Sequence, residues 1–177
     1  MATEARFDWI VETMDIRSGD RILEIGPGSS PSVRYLAAPL ESGHVIAIDR
    51  SATAIARSTE KHAALIDSGR VRLVEAALEQ VLPEDVLDDG RRFDKILAVN
   101  VNLFWTRRPT TELARIRDVL APTGTLYLVY GYGDPADHTS ASPKPLPGKL
   151  AEYLRESGFD TETRSCGDLL CITATPA

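Results

Sequence analysis

Arg21–Ile22–Leu23–Glu24–Ile25–Gly26–Pro27–Gly28 is the stretch on which the fold turns. Arg21 to Ile25 is short and largely apolar, as a buried strand is, and it runs directly into the glycine segment. Glycine has no Cβ, so backbone there can approach a ligand closely. Ser30 and Pro31 come next. A serine hydroxyl caps a helix start, and proline suits the first turn because its missing N–H has no partner to lose. Val33, Leu36 and Ala37 then supply an apolar helix face. A strand, a glycine bend and a helix in this order turn the amides of the helix start toward whatever lies in the bend.

The same alternation extends in both directions. Upstream, Phe7, Ile10, Val11 and Met14 recur at helical spacing over residues 4–14, and Ser18–Gly19–Asp20 ends that helix. Downstream, apolar strands are expected at His44–Ile48 (closing on Asp49), Val71–Val74, Phe93–Val99 and Leu126–Tyr130. Helices are expected at 51–66 and after Pro109, the latter with Leu113, Ile116 and Leu120 inward. Residues 77–91 are mixed, with Pro83 and Gly90 as breakers, and Pro122–Thr123–Gly124 reads as a turn. Strands alternating with helices imply a largely parallel sheet covered on both faces. Residues 131–147 form the longest irregular stretch. Leu150–Glu156 is the last helix. Phe159–Ser165 and Leu169–Thr175 have only Cys166–Gly167–Asp168 between them, too little for a crossover, so they pair antiparallel.

Bulk properties narrow the class. The 177 residues suit one domain over 1–177, and 43% hydrophobic with 26% charged residues is ordinary for a soluble globular chain. The net charge of −6 argues against nucleic acid as the main partner, since Lys and Arg meeting phosphates supply much of that affinity. The Arg107–Arg108 pair reads as a solvated helix entrance. Cys166 and Cys171 match no redox or metal spacing, and three scattered histidines make no metal site. Neither a leader peptide nor a membrane-spanning run is evident, so a cytoplasmic location is expected.

Two acidic residues carry the chemistry. Asp49, at the end of the second strand, is placed to accept hydrogen bonds from two ribose hydroxyls. Glu24 lies inside an apolar strand and needs a donor, because an unpaired buried carboxylate is costly. A cationic ammonium would answer it, and a pyrophosphate would be repelled. Nearby backbone amides are the plainer way to satisfy it. The dinucleotide fingerprint also wants a third glycine, where this chain has Pro31.

These segments resemble the class I S-adenosylmethionine-dependent methyltransferases over nearly the whole chain. Arg21 to Gly28 resembles the family's first motif. Val45–Ile46–Ala47–Ile48–Asp49–Arg50 resembles its second. Phe93–Asp94–Lys95–Ile96–Leu97–Ala98 is similar to its fourth strand, and Leu120–Ala121–Pro122–Thr123–Gly124–Thr125–Leu126 to the turn before its fifth. The resemblance implies an α/β fold, a three-layer Rossmann-like sandwich. Its sheet would be seven-stranded and mostly parallel, of order 3-2-1-4-5-7-6, with an antiparallel terminal strand. It implies S-adenosylmethionine as cofactor, held by Glu24, Gly26, Pro27, Gly28, Ser30, Asp49, Arg50, Ala77, Leu78 and Asn100. Two positions depart from the pattern. The family's third glycine aligns with Ser30, and its frequent adenine-binding Asp aligns with Ala77, leaving the Leu78 amide to reach the ring.

Methyl transfer is an in-line displacement at an activated sulfonium, so alignment matters more than any fixed catalytic set. No catalytic residue is assigned; His138, on the long loop, is the candidate base. Asn100–Val101–Asn102–Leu103–Phe104–Trp105 follows the fourth strand and lacks the prolines of the amino-methylating Asn-Pro-Pro-aromatic motif. Asn102, Trp105 and Tyr132 are the candidate acceptor residues, although Phe104 and Trp105 would equally pack under the next helix. The function expected is methylation of a small-molecule oxygen or nitrogen acceptor. Recognition would come from the leading helix, the 131–147 loop or a second subunit in a homodimer. A dinucleotide-dependent oxidoreductase and a non-catalytic binding subunit of the same fold are the rivals.

Overall fold

Alternate residues along each central strand enter opposite cores. Ile22, Val45, Ala47, Leu97, Tyr127, Val129 and Cys171 face one layer; Leu23, Ile25, Ile46, Ile48, Ile96, Ala98, Leu126, Leu128, Leu170 and Ile172 face the other. That period of two is the pleat of a sheet buried on both sides. The computed structural model describes residues 2–138 and 142–177.

In chain order the elements are α1 (Ala2–Met14), β1 (Arg21–Ile25), α2 (Ser32–Ala37), β2 (His44–Asp49), α3 (Ala52–Lys61), α4 (Ala63–Asp67) and β3 (Val71–Glu75). After a 3₁₀ turn at Leu78–Gln80 come α5 (Pro83–Val86), β4 (Phe93–Val99), α6 (Leu103–Thr106), α7 (Thr110–Val119), β5 (Leu120–Tyr130), α8 (Pro147–Glu156), β6 (Phe159–Cys166) and β7 (Leu169–Pro176). The strands form one sheet of order β3-β2-β1-β4-β5-β7-β6. β7 is antiparallel to both of its neighbours and the other pairings are parallel. Side chains of α1, α2 and α4 pack on one face, and those of α5, α7 and α8 on the other. This is the three-layer Rossmann-like arrangement anticipated from the sequence.

Three expectations need correction. The helix after Pro109 ends at Val119, so Leu120, expected on its inner face, is extended and opens a strand. The helix expected over 51–66 is two helices broken at His62, whose φ of −113° and ψ of 21° leave the α region. His62 is buried at this break. The turn expected at Pro122–Thr123–Gly124 is absorbed into β5, which begins at Leu120. Phe93 pairs with Leu120, yet Lys95 pairs with Thr125, so extra residues bulge out of the ladder and spare Pro122 a donor it lacks.

Between β5 and α8 the described residues, 131–138 and 142–146, carry no helix or strand, and they are tied down; the rest of the expected loop lies outside the described residues. Asp168, in the β6–β7 turn, is buried. Its carboxylate accepts from the backbone amides of Tyr132 (3.1 Å), Gly133 (2.9 Å) and Ser142 (3.1 Å), from the Ser142 hydroxyl, and from Lys144 Nζ at 2.7 Å. These donors favour the charged form and hold its carboxyl well below the usual range, against the burial that would raise it. A Cβ at Gly131 (φ +120°) would stand 2.5 Å from the Asp168 carbonyl oxygen, so the loop departs over this turn only with glycine there.

Candidate active site

The carboxyl ends of β1, β2 and β4, with the segment following β3, border a cavity of about 530 Å³. In an open parallel sheet this edge, where the strand order reverses between β1 and β4, is where ligands bind. Gly26, Asp49, Arg50, Ala77, Leu78 and Asn102 line it, joined by Glu79, Val101, Thr106 and Arg107.

The glycine bend is locked from below. The Gly26 amide donates to the Ile48 carbonyl at 2.8 Å, continuing the β1–β2 ladder past the strand end. Gly26 has φ +65°, and a Cβ there would meet Val101 Cγ2 at 3.2 Å, on the cavity wall. Asp49 Oδ2 accepts from the Gly28 amide at 2.9 Å, and Oδ1 from the Ser51 amide at 2.9 Å. One carboxylate thus ties the bend to the start of α3 and keeps further lone pairs for a ligand. Ser30 Oγ accepts from the Ser32 amide at 3.1 Å, a local turn ahead of α2; Pro31 holds the N-cap position without a side-chain bond, so the cap expected of Ser30 is not made. Lys61 Nζ reaches the Ser29 carbonyl at 3.3 Å and braces the bend from α3.

Glu24 is 1% exposed. It shares a strand face with Ile22, toward α2, where the Ser32 hydroxyl bears on it. Its Oε2 has no hydrogen-bond partner. Burial pushes its carboxyl up to about 7, with the Ser32 hydroxyl pulling the other way.

Asn100 sits at φ +55° just past β4. Its carboxamide closes both hydrogen bonds with one residue: Nδ2 donates to the Gly131 carbonyl at 3.0 Å, and Oδ1 accepts from the Gly131 amide at 2.9 Å. The side chain is therefore spent on holding the ends of β4 and β5 together. Asn102 Oδ1 accepts from Trp105 Nε1 at 3.3 Å, and the Thr106 hydroxyl donates to the Asn102 carbonyl at 2.9 Å, which makes 102–106 a self-bonded turn on the cavity rim. Phe104 is fully buried, while Trp105 is only half-buried.

Residues 22–124 match the family described as a methyltransferase domain. The chain belongs to this family, the class I S-adenosylmethionine-dependent methyltransferases. The ribosomal RNA small subunit methyltransferase A of Synechococcus sp. (strain CC9605) is 36% identical over 90 residues, half of this chain; the match spans 30% of that protein's length. An S-adenosylmethionine-dependent methyltransferase from Aquifex aeolicus shares the fold at a TM-score of 0.74 and 15% identity, with 95% of this chain and 88% of that one covered. The glycopeptide N-methyltransferase MtfA, solved with sinefungin, shares it at 0.75 and 16%, with 100% and 95% covered.

S-adenosylmethionine is the cofactor of this methyltransferase class, and the residues present suit it. The orphaned Glu24 oxygen calls for a cationic or N–H donor, Asp49 faces the cavity with acceptor capacity to spare, and Gly26 leaves open space beside Val101. Ala77 and Leu78 line the cavity, with no carboxylate at 77. The remaining candidates are more scattered. Tyr132 is 60% exposed and His138 is exposed on the loop. Neither borders the cavity, nor do Glu24, Pro27, Gly28, Ser30, Asn100 and Trp105; Glu24 lies behind the bend, on the α2 side of β1. Two residues passed over in the sequence are prominent in the structure. Asp168 lay in a three-residue turn, where an Asp is unremarkable. Arg6 lay on a predicted helix with nothing to mark its long-range contact.

Proposed function

We propose that this chain transfers the methyl group of S-adenosylmethionine to an oxygen or nitrogen of a small-molecule acceptor. The observation that carries the reading is the pairing of an orphaned buried carboxylate, Glu24, with an acidic cavity residue, Asp49, on either side of the glycine bend. Asp49 suits two ribose hydroxyls, and Glu24 suits an ammonium. Asp49 suits the ribose of either cofactor, but a diphosphate would meet the Glu24 charge unfavourably, which counts against the dinucleotide alternative.

When bound, the cofactor supplies a methyl group on a positively charged sulfur. Held by Asp49 and the glycine bend, that group would be open to in-line displacement by an acceptor lone pair, with sulfur as the leaving atom. The protein's work is alignment and exclusion of water. The Asn100–Gly131 clamp fixes the β4–β5 edge against which the acceptor would lie. Trp105 and Tyr132 offer aromatic surface near that edge. His138 is the candidate to take a proton from an acceptor that must lose one.

An RNA acceptor is the second reading, favoured by the ribosomal RNA methyltransferase relative. The net charge of −6 weighs against it. Native mass spectrometry of freshly purified protein, followed by calorimetric titration with S-adenosylhomocysteine, tests the proposal. A retained S-adenosyl ligand and saturable binding are expected. A protein that binds neither S-adenosylmethionine nor its product would overturn it. Methyl incorporation into ribosomal RNA, with none into small molecules, would transfer the acceptor assignment to the second reading.

A further inference from the structure

Arg6 is a half-buried arginine without an acid. The other well-buried arginine, Arg21, is paired with Asp89 at 2.8 Å, and the partly covered Arg72 with Asp88 at 2.9 Å. Among the described residues no carboxylate pairs with Arg6. Its Nη1 donates to the Gly131 carbonyl at 3.3 Å, and its Nε is buried with no partner at all. The guanidinium lies 4.8 Å from the Phe7 ring centre and 5.9 Å from that of Tyr132. Two aromatic faces thus fix its plane, and burial lowers its pKa, the sign of a cation short of counter-charge.

Its position is given by short contacts. Gly131 is bound on both sides by the Asn100 carboxamide, and the next residue, Val101, touches the space above Gly26 in the cofactor bend. On its other flank, Phe7 stacks on Tyr35 of α2 at 5.3 Å, the helix that the bend feeds. Arg6 therefore stands at the carboxyl edge between β4 and β5, on the α1–α2 layer toward which Glu24 also faces.

We infer that Arg6, which stands beside the cavity rather than in its wall, binds a ligand carboxylate that extends from the cavity past the Asn100–Gly131 clamp. The inference rests on the proposed function. A guanidinium is a planar fork of five donors suited to a two-point grip on a carboxylate. Here Nη1 is used by Gly131 and Nε is covered by protein, which leaves the terminal Nη2 side of the fork for a ligand. Two sources can supply the group. One is the methionine tail of the cofactor, a zwitterion for which Glu24 and Arg6 are partners of opposite sign. The other is an acid group on the acceptor.

The test compares wild type with Arg6→Gln by calorimetry, using S-adenosylhomocysteine and its decarboxylated analogue, S-adenosyl-3-thiopropylamine. Arg6→Lys, which keeps charge but loses the fork, serves should Arg6→Gln fail to fold. If the tail is the source, the Gln variant binds S-adenosylhomocysteine about tenfold or more weaker and the decarboxylated analogue about equally, with Lys in between. If the acceptor is the source, S-adenosylhomocysteine affinity is unchanged, and benzoate binds the wild-type S-adenosylhomocysteine complex but not the variant's. Equal losses for both nucleosides would reduce Arg6 to a structural part and overturn the inference. So would wild-type behaviour toward all three probes. A wild-type protein that binds neither nucleoside would instead sink the proposed function.

Discussion

Glu24 sets the pH behaviour at the scale of one residue. Its carboxyl, pushed from 4.5 up to about 7, keeps its proton longer in the folded chain than in the unfolded one. The contribution to stability is therefore full below pH 4.5 and is lost as pH rises through about 7. The burial that causes the shift amounts to about 3 kcal/mol at most. Glu24→Gln is expected to flatten the dependence and to melt higher than wild type at pH 8 without ligand. Thermal melts from pH 5 to pH 8.5 check this. A bound ammonium would reverse the preference and draw off the proton. Titration with S-adenosylhomocysteine at pH 6 in two buffers of different ionisation enthalpy should then register net proton release in wild type and none in the Gln variant. Asp49 has a double task, since its loss frees the Gly28 and Ser51 amides as well as any ribose contact. Asp49→Ala should weaken S-adenosylhomocysteine by about 2–3 kcal/mol, thirtyfold or more, measured by calorimetry. Glu24, Gly26 and Asp49 were legible in the sequence because each breaks a local rule: a charge in an apolar strand, or a residue that ends one. Arg6 was not, since its partner carbonyl lies 125 positions away and no pattern on α1 marks it.

At the scale of elements, the strands were easy to read because both faces of the sheet are buried and apolar runs between breakers define them. The helix break at His62 and the bulge at 120–124 were harder. Both follow from how a segment meets its neighbours: His62 fills the junction of α3 and α4, and Leu120 pairs with Phe93 ahead of the register shift. The loop after β5 looked free in the sequence, yet Asp168 gathers three of its amides, a hydroxyl and Lys144 into one buried cluster. Asp168→Ala orphans these donors at once. Losing a buried ion pair of this kind costs about 3–5 kcal/mol. Urea unfolding should show a loss of that order, and protease cutting within 132–144 should rise well before global unfolding. Cutting at wild-type rates would mean that the cluster does not hold the loop.

The molecule as a whole responds to ligand because the cleft is assembled from parts far apart in the chain. The wall residues come from the ends of β1 and β2, from 76–79 and from 101–107, all joined through one sheet. A ligand that bridges them is bound by the folded domain and not by the unfolded chain, so it stabilises the whole by mass action. At a hundredfold excess over Kd this is about 2.7 kcal/mol. For a chain of this size that corresponds to about 5–10 °C in melting temperature. S-adenosylhomocysteine should give such a shift, and Asp49→Ala should abolish it at the same concentration. NADH should give none, because its diphosphate would lie at the glycine bend close to Glu24, where the dinucleotide fingerprint's third glycine is replaced by Pro31. A shift with NADH that is lost in Asp49→Ala would place a dinucleotide in this cleft and remove the methyl-donor assignment, whatever the fold relatives bind.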